Sequence, residues 1–377
     1  MKINLKYVAI VFCFLAFAAF TAKAQDSNMK SKSVNVNKGD NLKIKLGYGD
    51  IHLQTWDKNE VMVSYNIDED EGTDGIELTK DGNTVSIRTK YDSQVDINEI
   101  MIPSYLSIDA KTDGGSVDVK GGLNADFSVK TSGGNITFQN IRGNVDIKTA
   151  GGSIASSDIK GTADITTAGG DIRLGNISGG EVESSGGNIE IGNSGKKIEI
   201  KAGGGNISVG NVNGDISVGT GGGNVDIGEV KNSVDVKTGG GNIDLKRANG
   251  EVSAITGGGN ATLRNINGSV DVQCGAGNIT VELTPSGKSD SKINSGQGDI
   301  YFYIPANAKA TIIAKVKTNS YWTGSDDNND YIKSDFPATT FDKRDSGVNA
   351  VYKLNGGGVN IYLKTSVGQI LIKKLSK

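Results

Sequence analysis

Acidic side chains are the residues with the clearest catalytic potential in this chain, and their meaning depends on how they are spaced. The 377 residues hold 43 Asp and Glu but one histidine, His52, and two cysteines, Cys13 and Cys274. A single histidine excludes Ser-His-Asp and Cys-His machinery and histidine-rich metal sites. Paired carboxylates could hydrolyse a glycosidic bond if two acids faced each other across a cleft. Many of the acids instead alternate with apolar residues on outward strand positions, which predicts a solubilising face: Asp146, Asp164, Glu183, Glu199, Asp235 and Asp271.

Calcium binding is the second chemistry that the acids could support. The segment 326–330 begins like an EF-hand loop, but Tyr331 stands where that loop needs glycine and Pro337 where it needs the bidentate glutamate. The glycine- and aspartate-rich nonapeptide rolls that bind calcium complete a coil with two of their repeats. Here an aliphatic residue directly follows Gly-Gly-Gly-Asn, and the second Gly-x-Asp step is missing. We therefore predict no metal site and no cofactor.

An internal repeat determines where all of these residues lie. Asparagines that follow glycines recur at a constant spacing of 18 along the chain, at Asn206, Asn224, Asn242, Asn260 and Asn278. This period suits one coil of a β-solenoid. Within the unit 206–223, apolar residues alternate with serine in two short runs half a period apart, so each coil holds two strands separated by turns. The prediction is an all-β fold, a parallel β-solenoid in which one repeat makes one coil, with β-rich caps at both ends.

The turns and the interior of the coil follow from the same register. We expect glycine at the turns because a positive φ costs it nothing, and asparagine because it tolerates the left-handed region. Stacked asparagines are expected to form a hydrogen-bonded ladder. One predicted inward stack consists of Ile136, Ile154, Ile172, Ile189, Ile207, Val225, Ile243, Ala261 and Ile279. A second consists of Val145, Ile198, Ile216, Val234, Val252 and Val270. A third, of small residues, consists of Thr149, Thr167, Ser185, Ala202, Thr220, Thr238, Thr256 and Cys274, which makes the lone mature thiol an unreactive core substitution.

The N-terminal segment 1–24 has the features of a secretory signal peptide. Lys2 and Lys6 precede an apolar run, and Ala22-Lys23-Ala24 is a cleavage site. The run is too short to cross a bilayer, so we expect Sec export without a transmembrane segment after cleavage, to the periplasm, the cell surface or the medium. The net charge of −3 and the lack of a basic stripe argue against nucleic acid as a partner.

The mature chain divides into three parts by composition. Residues 25–110 are predicted to form an N-terminal β cap, residues 111–284 the repeat solenoid, and residues 285–377 a C-terminal continuation and cap. The loop 319–346 within the last part differs from both strand and repeat. Its aromatic residues among acids and amides predict either a folded end cap or a recognition surface: Tyr321, Trp322, Tyr331 and Phe336.

Several motifs outside the repeat resemble a known family. They are Gly47-Tyr-Gly-Asp-Ile51 with Trp56-Asp57, Ile102-Pro103 leading into Ser107–Gly115, and Tyr303-Ile-Pro-Ala306. Together with Gly-Gly-Asn-Ile, they are similar to the bacterial putative-adhesin family, glycine-rich β-solenoid envelope proteins related to head-domain autotransporter-type adhesins. The resemblance implies a non-enzymatic scaffold that binds an envelope component, a glycan, a protein or another copy of itself. Relatives implicated in envelope-stress sensing suggest the alternative of a ligand-sensing module that uses the loop 319–346.

Overall fold

The computed structural model describes residues 29–66, 75–89, 97–317, 331–344 and 347–375, and these residues form β-strands joined by short turns. The signal peptide prediction therefore lies outside the described residues. The N-terminal strands are β1 (Met29–Asn35), β2 (Asn41–Lys45), β3 (Ile51–Trp56), β4 (Glu60–Asn66), β5 (Ile76–Asp81), β6 (Thr84–Thr89), β7 (Ile97–Pro103), β8 (Ser107–Thr112) and β9 (Val117–Leu123).

The middle and C-terminal parts continue in the same way. The middle strands are β10 (Phe127–Thr131), β11 (Ile136–Ile141), β12 (Val145–Thr149), β13 (Ile154–Ser156), β14 (Ala163–Thr167), β15 (Ile172–Leu174), β16 (Gly180–Ser184), β17 (Ile189–Ile191), β18 (Ile198–Ala202), β19 (Ile207–Val209), β20 (Ile216–Thr220), β21 (Val225–Val230), β22 (Val234–Thr238), β23 (Ile243–Ala248), β24 (Glu251–Thr256), β25 (Ala261–Cys274) and β26 (Ile279–Pro285). The C-terminal strands are β27 (Ser291–Ser295), β28 (Ile300–Ile304), β29 (Ala310–Lys317), β30 (Ile332–Ser334), β31 (Thr340–Arg344), β32 (Gly347–Leu354), β33 (Val359–Thr365) and β34 (Ile370–Lys374).

Successive strands alternate between two parallel ladders, which confirms the predicted β-solenoid. Ladder 1 runs through β8, β10, β12 and the later even-numbered strands up to β24. Ladder 2 runs through β9, β11, β13 and the odd-numbered strands to β25, which bends from ladder 2 into ladder 1. One strand of each ladder makes a coil. Isolated parallel bridges at Ile141, Ile159, Ile177, Ser194, Val212 and Val230 add a narrow third side.

The core fills the space between these sides with stacked apolar columns. The column from Ile136 to Ile279 is paired coil to coil and buried throughout, as the alternation predicts. The valine and isoleucine column of ladder 1 is also buried, and Ala163 and Gly180 fill its gap between Val145 and Ile198. The predicted position of Ser185 in the third column is wrong, because Ser184 pairs with Thr167 and Ser185 is exposed.

A shortened turn explains that shift by one residue. Ile177 and Gly180 correspond to Ile159 and Ala163 in the previous coil, so one residue fewer separates the third side from ladder 1. Gly179 and Gly180 make this turn with φ of 135° and 137°, a region that side chains rarely adopt. The shift also places Glu183 opposite Thr166, so the acid opposite Asp164 in this coil is Glu181.

The repeat glycines serve a different purpose from the predicted one. The glycine before each repeat asparagine does not have a left-handed φ, and neither do the repeat asparagines. A Cβ on Gly205, Gly223 or Gly241 would lie 1.9–2.0 Å from the carbonyl oxygen of the equivalent glycine one coil below. Glycine is therefore required because adjacent coils approach too closely for a side chain.

The coils at both ends of the rod are out of chain order. At the N-terminal end, β6 and β7 pair with the outer edges of β2 and β3, whose inner edges pair with β8 and β9. At the C-terminal end, β33 and β34 lie between the coil of β27 and β28 and the coil of β29 and β30. Parallel pairing thus extends into both segments that the sequence assigns to caps.

Antiparallel strands cover the outer edges of both ladders at the N-terminal end and of ladder 1 at the C-terminal end. At the N-terminal end, β5 pairs with β6, and β4 pairs with both β7 and β1. At the C-terminal end, β32 pairs with β29, and β31 pairs with β32. The charged residues Asp342, Lys343 and Arg344 of the edge strand β31 are all exposed, an arrangement that discourages edge-to-edge aggregation.

Candidate recognition surfaces

The repeat asparagines form a ladder along one turn of the solenoid. The backbone N–H of Asn224, Asn242, Asn260 and Asn278 donates to the side-chain oxygen of the asparagine one coil earlier, at 2.8–2.9 Å. Asn206 donates in the same way to Asn188 at 2.9 Å. The asparagine side chains thus satisfy backbone donors at the turn, so their regular spacing along the chain is used for coil-to-coil cohesion.

A second ladder runs inside the same turn, through the column of small residues. Thr238 Oγ1 donates to the carbonyl oxygen of Gly223 at 2.9 Å and accepts from the N–H of Gly241 at 3.2 Å. Thr256 makes the equivalent bonds in the next coil, at 2.8 and 3.0 Å. Each hydroxyl therefore joins two coils and closes its own turn.

Cys274 occupies the next position of that column, between Thr256 and Ser295. Its side chain is 4 % exposed, and burial raises the pKa of its thiol to about 12. A thiol held in its neutral form is a poor nucleophile. The structure therefore places this cysteine as a member of the interior column.

The outer side of ladder 1 from β8 to β24, here called the charged face, carries two columns of side chains. The first is mostly acidic: Asp109, Ser128, Asp146, Asp164, Glu181, Glu199, Ser217, Asp235 and Ser253. The second, two positions further along each strand, is mostly basic: Lys111, Lys130, Lys148, Thr166, Glu183, Lys201, Gly219, Lys237 and Ile255. Sequence reasoning identified the acids as outward residues but missed the basic column, which the same two-residue alternation could have revealed.

Ion pairs connect the two columns. Lys201 Nζ lies 2.8 Å from Glu181 Oε1 and 2.7 Å from Glu199 Oε1, and Lys237 Nζ lies 3.3 Å from Asp235 Oδ2. The Lys201 ammonium lowers the pKa of Glu199, and the two carboxylates raise the pKa of Lys201. The basic column thus offsets the repulsion between carboxylates stacked about one strand spacing apart, roughly 4.8 Å.

A groove of about 510 Å³ opens near the N-terminal end of this face. Its lining includes the carboxylates of Asp109, Asp126, Asp146 and Asp164. Three of these side chains are exposed and Asp146 is half-buried, so they lie on an open surface. This differs from the enclosed site in which a glycosidase raises the pKa of its general acid.

The aromatic residues predicted for recognition are only partly within the described residues. Tyr321 and Trp322 lie outside them. Tyr331 and Phe336 are half-buried against the end of the core, and Lys374 Nζ lies 5.7 Å from the ring centroid of Phe336. Asp335 holds this segment by accepting from the backbone N–H of Lys374 at 3.0 Å and pairing with Lys373 at 3.2 Å. The N–H of Lys374 and the ammonium of Lys373 also lower the pKa of Asp335.

Among the residues that the structure describes, no group of three or more His, Cys, Asp or Glu side chains is arranged to hold a metal ion. The same residues contain no helix long and apolar enough to span a bilayer.

Comparisons with known proteins give a family match and several similar structures. Residues 40–197 match the family model described as Toastrack DUF4097. A crystal structure described as a putative adhesin from Bacteroides fragilis shares 15% identity, with 93% of this chain and 98% of that chain covered and a TM-score of 0.27. A putative adhesin from Parabacteroides distasonis shares 16% identity, with 74% and 98% covered and a TM-score of 0.30. One from Parabacteroides merdae shares 13%, with 66% and 97% covered and a TM-score of 0.34. No curated protein matches the chain.

Proposed function

We propose that this chain, whose residues 40–197 belong to the Toastrack DUF4097 family, is a non-enzymatic binding scaffold of the bacterial cell envelope. In this proposal the chain is exported through the Sec pathway, and its rod binds an envelope component by many weak contacts along one side. The family assignment supports the adhesin-like class. The partner, the export route and the absence of catalysis are parts of the proposal.

The charged face is the observation that carries the proposal. Its acidic and basic columns extend over most of the coils, with uncharged residues at Ser217 and Gly219 and at Ser253 and Ile255, on strands whose backbone is fixed by pairing on both sides. Individual exposed ion pairs contribute little, typically about 0–1 kcal/mol. Repetition on a rigid support lets many such contacts act at once, which raises the overall affinity without any single strong site.

A deletion of two coils tests this role. Removing residues 207–242 joins Asn206 to Ile243, which keeps the strand register because Asn206, Asn224 and Asn242 occupy the same position in three successive coils. The shortened protein should keep its β-sheet circular dichroism and bind envelope preparations from the native host several-fold more weakly. A double variant, Tyr321→Ala with Trp322→Ala, is the control.

The two variants separate a distributed surface from a single terminal site. If the proposal is right, the deletion weakens binding gradually and the aromatic variant binds normally. Abrupt loss of binding in the aromatic variant, with unchanged binding by the deletion variant, would instead support ligand sensing through the loop 319–346.

A further inference from the structure

The charged face changes character where the rod approaches its C-terminal end. The acidic column continues in register from Asp271 to Lys292, and then to Tyr362, Ile313 and Val351. Lysine and an apolar row thus replace the carboxylates of the preceding coils. The second column continues in parallel, from Gln273 through Asn294 to Lys364, Lys315 and Asn349.

Acids such as Asp109 and Asp146, which precede lysines of the rod by two residues, are replaced here by Ile313 before Lys315 and Tyr362 before Lys364. Lys292 still lies directly opposite Asp271. Lys315 and Lys364 lie directly opposite each other on adjacent strands, and Lys292 and Lys353 extend the group, all with exposed side chains. No carboxylate of the described residues forms an ion pair with any of the four. Like charges at directly paired positions destabilise a sheet. The fold therefore brings together four lysines that have no ion-pair partner among the described residues, within a chain whose net charge is −3.

An apolar row lies beside these lysines on the outer side of the sheet. The Tyr362 side chain is 37% exposed, and Ile313 and Val351 are half-buried beside it in consecutive strands. Asn294 and Asn349 flank the lysine pair in the same row and supply amide donors and acceptors. Aromatic ring, amides and ammonium groups thus share one open strip of sheet.

We infer that this strip, here called the basic patch (Lys292, Lys315, Lys353 and Lys364 with Tyr362, Ile313 and Val351), binds a linear anionic polysaccharide. The ammonium groups match uronic-acid carboxylates, the amides match sugar hydroxyls, and the tyrosine ring matches the apolar side of a pyranose. The exposed residues continue in register across adjacent strands, which suits an extended polymer. Proteins that insert peripherally into a lipid bilayer use apolar side chains that reach below the headgroups. The apolar side chains of this strip lie on the sheet surface, which favours a polysaccharide over a lipid surface. This inference rests on the proposed binding role and names the chemistry of the partner.

Titration of the full chain with polygalacturonate, with its methyl-esterified form as the uncharged control, tests the inference. The double variant Lys315→Gln with Lys364→Gln should bind polygalacturonate about five- to tenfold more weakly, since each exposed charge contributes modestly. Raising salt from about 0.1 M to about 1 M shortens the Debye length from about 10 Å to about 3 Å and should weaken the wild type more than the double variant. The matched control, Lys160→Gln with Lys231→Gln, removes two exposed lysines that directly follow Ile159 and Val230 of the third side, outside both the charged face and the basic patch, and should bind normally.

A further variant separates stacking from charge. Tyr362→Ser should weaken binding several-fold with little change in salt dependence, because it removes the ring and leaves the ammonium groups. The lysine double variant should fold at least as stably as the wild type, since it removes a like-charge pair. A thermal unfolding midpoint that is unchanged or raised would exclude misfolding as the cause of lost binding.

Several results would overturn the inference. The patch and control variants could lose binding equally, or the esterified polymer could bind as well as polygalacturonate. The patch could instead bind phosphatidylglycerol vesicles without binding polygalacturonate, or it could form a dimer that sedimentation detects and the lysine double variant abolishes. The wild type could bind polygalacturonate through the basic patch although the two-coil deletion leaves envelope binding unchanged. That result would count against the proposed rod function alone. If the wild type binds envelope preparations but does not bind polygalacturonate, the inference about the polysaccharide fails and the proposed rod function is unaffected.

Discussion

The close approach of coils at the repeat glycines predicts that two adjacent glycines respond oppositely to the same substitution. A Cβ on Gly241 would lie 1.9 Å from the carbonyl oxygen of Gly223, whereas a Cβ on Gly240 would have nothing within 4 Å. Neither glycine has a left-handed φ, so backbone strain does not distinguish them. Gly241→Ala should therefore destabilise the protein strongly, and Gly240→Ala should be neutral or stabilising.

The magnitude follows from the bonds that cross this contact. Relief of the clash requires movement of roughly an ångström, since real Cβ contacts are not found below 3.0 Å. That movement disturbs the bond from Thr238 Oγ1 to Gly223 O at 2.9 Å and the bond from Asn242 N to Asn224 Oδ1 at 2.8 Å. Two hydrogen bonds at about 1 kcal/mol each and packing strain of about 1–3 kcal/mol give about 3–5 kcal/mol of lost stability. Gly240→Ala should gain about 0.4–1 kcal/mol by restricting the unfolded chain.

Urea unfolding followed by circular dichroism measures both effects on the intact chain. Amide hydrogen exchange at Asn242 adds a local readout, because its N–H bond crosses the affected contact. We expect faster exchange in Gly241→Ala and unchanged exchange in Gly240→Ala. Equal destabilisation by the two substitutions, or a loss below about 0.5 kcal/mol for Gly241→Ala, would refute the argument that coil spacing requires glycine.

Three further predictions concern the interior column and the N-terminal end. Cys274→Thr should raise the unfolding free energy by about 1 kcal/mol by supplying a hydroxyl to Gly259 O and Gly277 N, as Thr256 does one coil earlier, and Cys274→Ala should give no such gain in urea unfolding. The thiol, with its pKa raised to about 12, should resist iodoacetamide at mildly alkaline pH in the folded protein and react after unfolding, as mass spectrometry would show. The Lys80 ammonium, 2.6 Å from Asp40 Oδ2, lowers the pKa of Asp40, so its stabilising effect is complete above the ordinary carboxyl pKa and is lost as pH falls through the lowered value. Between neutral and acidic pH, the wild type should therefore lose more unfolding free energy than Asp40→Asn, which lacks this titration, as urea unfolding followed by tryptophan fluorescence at each pH would show.

The sequence was sufficient for the repeated part of the fold because alternation and period act together there. The constant repeat spacing and two alternating runs predict the buried columns that contain Ile207 and Ile216, and the structure has both. The one-residue error at Ser185 arose from a turn that is shortened at Gly179 and Gly180. The sequence already indicates this shortened turn, because Ile172 and Ile189 are separated by one residue fewer than the regular period. The structure pairs these two residues directly.

The end coils and the physical role of glycine could not be predicted in this way. The alternation of apolar and polar residues predicts which side of a strand faces inward. It does not predict which coil lies next to which, because any coil with that alternation can pair with any other. The position of β33 between β27 and β29 therefore leaves no local signal. Turn propensity likewise explains a glycine by a positive φ. At Gly241 the requirement for glycine instead comes from the carbonyl oxygen of Gly223, a full coil away. Non-local contacts decided both features.

The out-of-order coils give the two ends of the rod different mechanical strength. Among the described strands β1 pairs only with β4, at the outer edge of its ladder, so a pull through Met29 opens one row of hydrogen bonds from its end. β34 is held between β28 and β30, so a pull through Leu375 must shear two rows together. Under tension the N-terminal strand should detach first, while the C-terminal coil stays clamped until the neighbouring coils yield.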